Sequence, residues 1–241
     1  MNQLAPVVPP RGFAWSYSKL KNYETCARRY EQIDLLKIYS ESKGGKKSPE
    51  LQRGDDLHIA MHRRVQDNVP LPPEFSYMER WAEKFTRKMH PNQSIHCELK
   101  LAVDRQGHPV GYFDKNVWLR GLVDYVRILP IRDKSIAHIV DYKTGRPKDD
   151  YTQLLLNSWL IFCYYKDVMA VRTDFLWTEY NDTSHENFTR ADMKQAILGI
   201  TPRVNALETA QKTNEFPPNP CGLCKEYCPV VSCEFHGRGR R

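Results

Sequence analysis

The sequence contains no run of 18 apolar residues, and its first twelve residues, MNQLAPVVPPRG, have neither the charged start nor the apolar stretch of a secretory signal. These absences exclude a transmembrane helix and predict a soluble intracellular protein, cytoplasmic in a cell or, for a viral protein, in its host. Acidic residues are fewer than basic ones, 29 against 36, so the formal net charge is +7. A basic excess favours a polyanionic partner, although basic runs are also common on ordinary solvated surfaces.

The length of 241 residues and a hydrophobic fraction of 41% are sufficient for one sizeable core. We predict three parts: an extended proline-rich lead-in at 1–14, one folded domain at 15–213, and a cysteine-rich segment with a basic tail at 214–241. Basic residues cluster in the predicted loop 42–48 and again at 237–241. Both clusters are candidates for contacts with a phosphate backbone.

Hydrophobic periodicity predicts an α/β fold in which helices flank a central mixed sheet. Helices are predicted at 16–38, 49–65, 74–89, 151–165 and 189–212, and strands at 94–103, 116–129, 136–142 and 171–180. Ser16 and Ser48 are the predicted N-caps of the first two helices.

Charged residues occur in two of the strands at positions expected to face the core. By the two-residue period, Asp124 shares the face of Leu122 and Val126, and Asp141 shares a face with Lys143. One interpretation is a buried ion pair. The favoured one is a divalent cation, Mg²⁺ or Mn²⁺, held by the two carboxylates beside a lysine that orients water or stabilises developing charge.

These residues resemble the motifs of the PD-(D/E)XK nuclease superfamily, in particular its RecB-like branch of CRISPR-associated and phage exonucleases. Gly121-Leu-Val-Asp124 is similar to the G-x-x-D element, and Asp141-Tyr-Lys143-Thr-Gly to the D-x-K element. The resemblance implies a restriction-endonuclease-like core and makes His58, four residues after Gly54, a metal ligand. Without the resemblance, a lone histidine on an apolar helix face is more often a satisfied core residue.

The resemblance extends to two further positions. Glu98 corresponds to an acidic residue of this branch, although Glu98 and Lys100 could also form an exposed pair. Gln153 matches the glutamine of a Q-x-x-x-Y element that contacts substrate. Asn157 stands where that element has tyrosine, and Tyr164 lies further along the same helix.

Seven cysteines are present, and four of them fall within thirteen residues near the end of the chain. A metal would stabilise this segment, which is poor in core-forming residues. The resemblance implies a 4Fe-4S cluster held by Cys26, Cys224, Cys228 and Cys233. The alternative is zinc held by four ligands from Cys221, Cys224, Cys228, Cys233 and His236, whereas Cys97 and Cys163 are expected in the core.

The leading hypothesis is a metal-dependent deoxyribonuclease that acts in DNA repair, recombination or phage DNA processing. The resemblance implies that it is an exonuclease. A catalytically silent DNA-binding or assembly subunit of a recombination complex is the alternative, and a zinc-dependent interaction module is a third. DNA is the expected partner, together with a recombination or single-strand-binding protein. The sequence leaves open the polarity of cleavage, the strandedness of the substrate and the oligomeric state.

Overall fold

The computed structural model describes residues 12–40 and 48–238. Seven α-helices occur in this part of the chain: α1 Tyr17–Thr25, α2 Ala27–Tyr30, α3 Pro49–Gln66, α4 Glu79–Thr86, α5 Thr152–Tyr164, α6 Met193–Thr213 and α7 Leu223–Glu226. The five strands are β1 Ser94–Val103, β2 Leu119–Ile131, β3 Lys134–Lys143, β4 Val168–Trp177 and β5 Asp182–Thr189.

The strands form one mixed sheet in the order β1-β2-β3-β4-β5. All neighbours are antiparallel except β3 and β4, which are parallel and are connected through α5. The predicted α/β architecture, a mixed sheet flanked by helices, is therefore confirmed. The cysteine-rich segment follows α6, as expected, whereas metal binding by it remains a prediction.

Helices cover both faces of the sheet. On one face α5 is apolar almost all round and buries Leu154, Leu160 and Phe162 in the larger core cluster, the α5 cluster. Residues of α1 and α6 complete this cluster. On the other face α3 and α4 bury a smaller cluster, the α3/α4 cluster, that includes Leu57 and Phe85. Full burial of each such side chain stabilises the fold by about 1.5–3 kcal/mol.

The first predicted helix begins as expected, with the Ser16 hydroxyl accepting a hydrogen bond from the Lys19 amide at 3.4 Å. It does not continue to residue 38. Cys26 adopts an extended conformation with φ −167°, and a short α2 and a π-helical turn, Glu31–Leu35, follow it. The prediction of one continuous helix was wrong because the break at Cys26 has no proline or glycine to signal it.

Other elements also differ from the prediction. The segment predicted as a helix at 74–89 is a 3-10 helix, Pro73–Met78, followed by α4, which ends at Thr86. Strand β5 was not predicted because its polar sequence lacks apolar alternation, yet its main chain pairs with β4 at the sheet edge. The chain therefore enters α6 only at Met193.

Several predictions lie outside the described residues. They concern most of the lead-in at 1–11, the loop at 41–47 with its basic cluster, and the last residues of the basic tail at 239–241. Within the described part, Ser48 caps α3 by accepting from the Leu51 amide at 3.3 Å. No helix in the described part is both long enough and apolar enough to cross a bilayer.

Candidate metal centre

The candidate site lies where β1 and β2 change the faces that they present. On one side of Glu98, Ile95 and Cys97 contact the α3/α4 cluster, and on the other side Leu99 and Leu101 contact the α5 cluster. Cys97 and Leu99 thus point to opposite faces of the sheet, although residues two apart in a regular strand point to the same face. Glu98 itself has a φ of +52° and interrupts the regular pairing of β1 with β2.

Strand β2 makes the same change at Asp124. Leu122 lines an open cavity beside α3, whereas Val126 and Ile128 are buried in the α5 cluster. The prediction that Asp124 shares one face with Leu122 and Val126 was therefore wrong, because the irregularity at Glu98 reverses the alternation at this point. The inference that Asp124 is withdrawn from solvent is correct, since the residue is 6% exposed.

Three potential metal ligands converge at this irregularity: His58 from α3, Glu98 from β1 and Asp124 from β2. One ligand atom from each lies within 4.8 Å of the other two. The His58 Nδ1 atom is 3.5 Å from Asp124 Oδ2 and 3.7 Å from Glu98 Oε1. An imidazole nitrogen and two carboxylate oxygens form a donor set that could hold a metal ion.

The main chain of Tyr142 orients two of the three ligands. Its carbonyl oxygen lies 3.2 Å from His58 Nε2, and its N–H donates to Asp124 Oδ2 at 2.8 Å. If Nε2–H donates to that carbonyl, the Nδ1 lone pair faces the two carboxylates, as in many metal sites. The residues present therefore fit a divalent cation.

Electrostatics at this group favour positive charge. Burial disfavours the imidazolium, but the carboxylates of Asp124 and Glu98 outweigh that effect and raise the pKa of His58 to about 10. A proton on His58 and a metal ion would each neutralise part of the same negative charge, that of the Asp124 and Glu98 carboxylates. The two are expected to compete for the site.

Asp141 lies beside this group and has other partners. Its Oδ2 atom is 2.5 Å from Lys143 Nζ, and its Oδ1 atom accepts from Gln153 Nε2 at 2.6 Å. Gln153 also accepts from Lys143 Nζ at 2.9 Å. Burial and the charge of Asp124 raise the pKa of Asp141, while the Lys143 ammonium partly offsets both effects.

The sequence predicted His58, Asp124 and Asp141 as the metal ligands. Among the described residues, the three whose ligand atoms lie close enough to share an ion are His58, Glu98 and Asp124. Glu98 thus takes the place that was predicted for Asp141. Asp141, Lys143 and Gln153 form an adjoining triad at the end of β3 and the start of α5. The structure thus brings all six predicted residues to one end of the sheet.

An open cavity of about 640 Å³ lies in front of His58 and Glu98, and its walls include α3 and Thr144. Gly54 of α3 faces Thr144, and a Cβ at this position would be in ordinary van der Waals contact with Thr144 Oγ1 at 3.4 Å. His62 and Arg63 also line the cavity, one turn of α3 beyond His58. The volume of this cavity lies within the range of ligand-binding sites.

One contribution to the site that no sequence signal indicated is the main chain of Tyr142. The orienting role of Tyr142 belongs to its backbone and is invisible in its side chain. Asn157 is buried with its Oδ1 atom near Gly121, and Tyr164 hydrogen-bonds the main chain of Ala102 and Val110. Tyr164 therefore connects α5 to the main chain around β1, and Asn157 packs against β2 at Gly121.

The C-terminal cysteines lie beside the break after α1. Cys26, Cys224, Cys228 and Cys233 line one small cavity, and the Asn219 amide donates to Cys26 Sγ at 3.3 Å. No three described cysteine and histidine ligand atoms of this segment lie within 4.8 Å of one another. Tetrahedral zinc requires sulfurs about 3.8 Å apart, given Zn–S bonds of about 2.3 Å.

Cys221 and His236, the additional ligands of the zinc alternative, are not among the described residues that line this cavity. The Cys221 amide instead donates to Cys224 Sγ at 3.4 Å. Cys163 is buried in the larger core cluster and Cys97 contacts the smaller one, as expected. The structure therefore brings Cys26 next to three of the C-terminal cysteines, and metal binding by them remains a prediction.

Comparison with known proteins assigns no family. No family model matches the chain, and no curated protein matches it. Among solved structures, the protein SSO0001 is 14% identical, with 95% of this chain and 89% of that chain covered and a TM-score of 0.42. A protein of Eubacterium rectale named "Putative exonuclease" is also 14% identical, with 90% and 87% covered and a TM-score of 0.46. Neither likeness carries information about the chemistry of the site.

Proposed function

We propose that the protein is a metal-dependent deoxyribonuclease that hydrolyses phosphodiester bonds. The observation that carries this proposal is the convergence of His58, Glu98 and Asp124 within 4.8 Å, next to the triad of Asp141, Lys143 and Gln153. The order of the G-x-x-D and D-x-K motifs supports it independently. A buried carboxylate next to a lysine is costly to retain for stability alone.

His58, Glu98 and Asp124 would hold Mg²⁺ or Mn²⁺ at this site. When bound, such an ion lowers the pKa of water and polarises a phosphodiester. Tyr142 keeps two of these ligands in position through its N–H and carbonyl groups. The ligands are therefore oriented before the substrate binds, which is the arrangement that efficient catalysis requires.

Lys143 and Asp141 would act on the water and the phosphate. In hydrolysis the water oxygen forms a bond to phosphorus, one phosphorus–oxygen ester bond breaks, and a proton from the water passes to the leaving oxygen through solvent. The Lys143 ammonium, fixed by Asp141 and Gln153, supplies positive charge next to the phosphate as negative charge develops. Gln153 is a positioning residue in this scheme.

DNA is the proposed substrate, in repair, recombination or phage DNA processing. The net charge of +7 supports a polyanionic substrate. We propose exonucleolytic cleavage on the strength of the sequence motifs. Binding that weakens steeply with added salt is expected from contacts to the phosphate backbone.

Cleavage of end-labelled and circular DNA, single- and double-stranded, tests this proposal in Mg²⁺, Mn²⁺ or EDTA. Asp141→Asn and Lys143→Met should each lower the rate by about a hundredfold or more. Lys148→Gln and Asp149→Asn, on an exposed loop that follows β3, are matched controls and should retain the native rate. DNA binding without any cleavage by the native protein would instead support the silent binding subunit.

We also propose that Cys26, Cys224, Cys228 and Cys233 hold a 4Fe-4S cluster. Their shared cavity supports this group, because it brings Cys26 to three C-terminal cysteines and is not lined by Cys221 or His236 of the zinc alternative. The cluster would connect the end of α1 to the segment after α6. Its proposed role is structural, because these cysteines are separate from the metal ligands at the sheet.

A further inference from the structure

A second cavity lies on the face of the sheet opposite Asp141. It is formed between α4 and strands β2 to β5, and His138, Val140 and Asp174 contribute to its wall. His138 precedes Asp141 by three residues, which is about 10 Å along a strand. Its lining shares no residue with the cavity in front of His58 and Glu98, so the two cavities are distinct.

Positive charge dominates this cavity. Five permanently cationic side chains line it: Lys84, Arg87, Lys88, Arg127 and Arg172. Asp174 is the only acidic side chain among its described lining residues, and it already accepts from His138 and Arg172. No ion pair joins the other four cations to a carboxylate within the part of the chain that the structure describes.

Arg127 is the most informative of these cations, because it is only 5% exposed. Its guanidinium donates to the main-chain oxygens of Lys84 at 2.8 Å and Phe85 at 2.7 Å, and to Met89 Sδ at 2.9 Å. Its Nε atom is buried without a hydrogen-bond partner. The carbonyls at the end of α4 stabilise the charge in part, but a buried guanidinium without an anion remains costly.

The rest of the lining is aromatic and apolar. The Trp81 indole is fixed by a hydrogen bond from Nε1 to Asn181 Oδ1 at 2.9 Å, and the Lys84 ammonium lies 4.2 Å from its ring centroid. Met89 is 62% exposed at the rim. The cavity volume of about 710 Å³ is within the range of small-molecule sites.

We propose that this cavity binds a nucleotide. Its phosphate would meet the cationic side chains around Arg127, and its base would contact the Trp81 indole. Guanidinium groups suit phosphate oxygens, and aromatic rings accept any base. The ligand is either a free mononucleotide or the terminal nucleotide of a strand, which share this chemistry.

Isothermal titration of the full-length protein in EDTA tests the site without any cleavage, so its outcome is independent of the nuclease proposal. The titrants are deoxyadenosine 5′-monophosphate, deoxyadenosine, inorganic phosphate and a 5′-phosphorylated tetranucleotide. The mononucleotide should bind saturably and more tightly than either the nucleoside or phosphate. If the tetranucleotide binds more tightly than the mononucleotide, the ligand is the end of a strand. If the two bind with equal affinity, the ligand is the free nucleotide. Both outcomes support the site.

Variants locate the binding. The double substitution Arg87→Gln/Lys88→Gln removes two exposed cations and should weaken mononucleotide binding by about tenfold or more. The control Lys166→Gln/Lys194→Gln removes the same charge from exposed positions outside the cavity and should bind as the native protein does. Trp81→Leu should weaken the nucleotide but leave phosphate unaffected.

Because Arg127 is buried, the variant Arg127→Gln requires a thermal melt to show that it folds. The test does not depend on this variant, since Arg87 and Lys88 are exposed. The proposal is overturned if the mononucleotide does not bind, or if the control variant loses as much affinity as the cavity variant. Equal affinity for deoxyadenosine and its monophosphate would equally overturn it, as would phosphate binding as tightly as the nucleotide.

Discussion

Glu98 and Asp124 stand opposite each other at the point where β1 and β2 exchange the faces of the sheet. Cys97 pairs with Tyr125 and Leu99 pairs with Val123, so these two carboxylates occupy the position between two regular pairs. The positive φ of Glu98, +52°, is uncommon for a residue with a side chain and costs about 1–2 kcal/mol. A cation shared by both carboxylates and His58 would offset that strain.

Glu98→Gln should weaken Mn²⁺ binding by at least about tenfold, because it removes one anionic ligand while preserving side-chain size. Titration calorimetry of protein stripped with EDTA measures the effect. Glu74→Gln, an exposed glutamate of the 3-10 helix, is the control and should bind Mn²⁺ as the native protein does. Native affinity in Glu98→Gln would remove Glu98 from the ligand set.

Gln153→Leu should affect catalysis more than metal binding. Gln153 bonds both Asp141 and Lys143, so its loss frees the lysine to move and should lower single-turnover cleavage by about tenfold to a hundredfold. Mn²⁺ affinity should change less than in Glu98→Gln. The exposed Gln195→Leu is the control, and an unchanged cleavage rate in Gln153→Leu would contradict its positioning role.

The sequence allowed some of this site to be predicted and not the rest, for a physical reason. Asp141 and Lys143 are two apart in a regular strand, so periodicity places them correctly on one face. Asp124 and Glu98 lie at an irregularity, where periodicity fails and a backbone angle decides the direction of the side chain. Only the motif resemblance selected Glu98, and no sequence feature indicated the backbone of Tyr142.

The same distinction explains the fold. Strands with strong apolar patterns were predicted to within a few residues, and β1 was predicted at its observed bounds. Strand β5 is held by main-chain pairing and the break at Cys26 by tertiary contacts, so side-chain patterns contain little information about either. Local propensity is overridden by tertiary structure at such places.

Gly121→Ala should destabilise the protein by about 1–3 kcal/mol through overpacking. A Cβ at Gly121 would lie 2.6 Å from Leu160 Cδ1 and 2.9 Å from Asn157 Oδ1, so these two buried side chains would have to shift. Gly199→Ala is the matched control: nothing lies within 4 Å of its Cβ, and helix propensity should stabilise it by about 0.5–1 kcal/mol. Urea unfolding measures both, and equal effects would contradict the close contact.

Asp174 should make stability depend on pH in the acid range. Burial opposes its ionisation, but hydrogen bonds from His138 and Arg172 outweigh burial and hold the pKa of Asp174 below its usual range. Because the folded pKa is lowered, this contribution is present above the unfolded pKa of about 3.9 and is lost as pH falls through the folded value. Asp174→Asn should reduce the free energy of unfolding at pH 7, with a difference that shrinks towards pH 3. A difference that stays constant over this range would exclude the ion pairs as its source.

Cys26 and Cys221 separate the two forms of the cysteine site, since the cluster uses Cys26 and local zinc can use Cys221. In protein purified without oxygen, Cys26→Ser should lose iron and the visible absorbance of a cluster, whereas Cys221→Ser should retain both. Cys163→Ser controls for the loss of a buried thiol remote from this cavity. Because Cys26 belongs to the break after α1, its substitution should also lower the melting temperature by loosening the C-terminal segment. Retained metal in Cys26→Ser, together with zinc lost in Cys221→Ser, would establish the local zinc site instead.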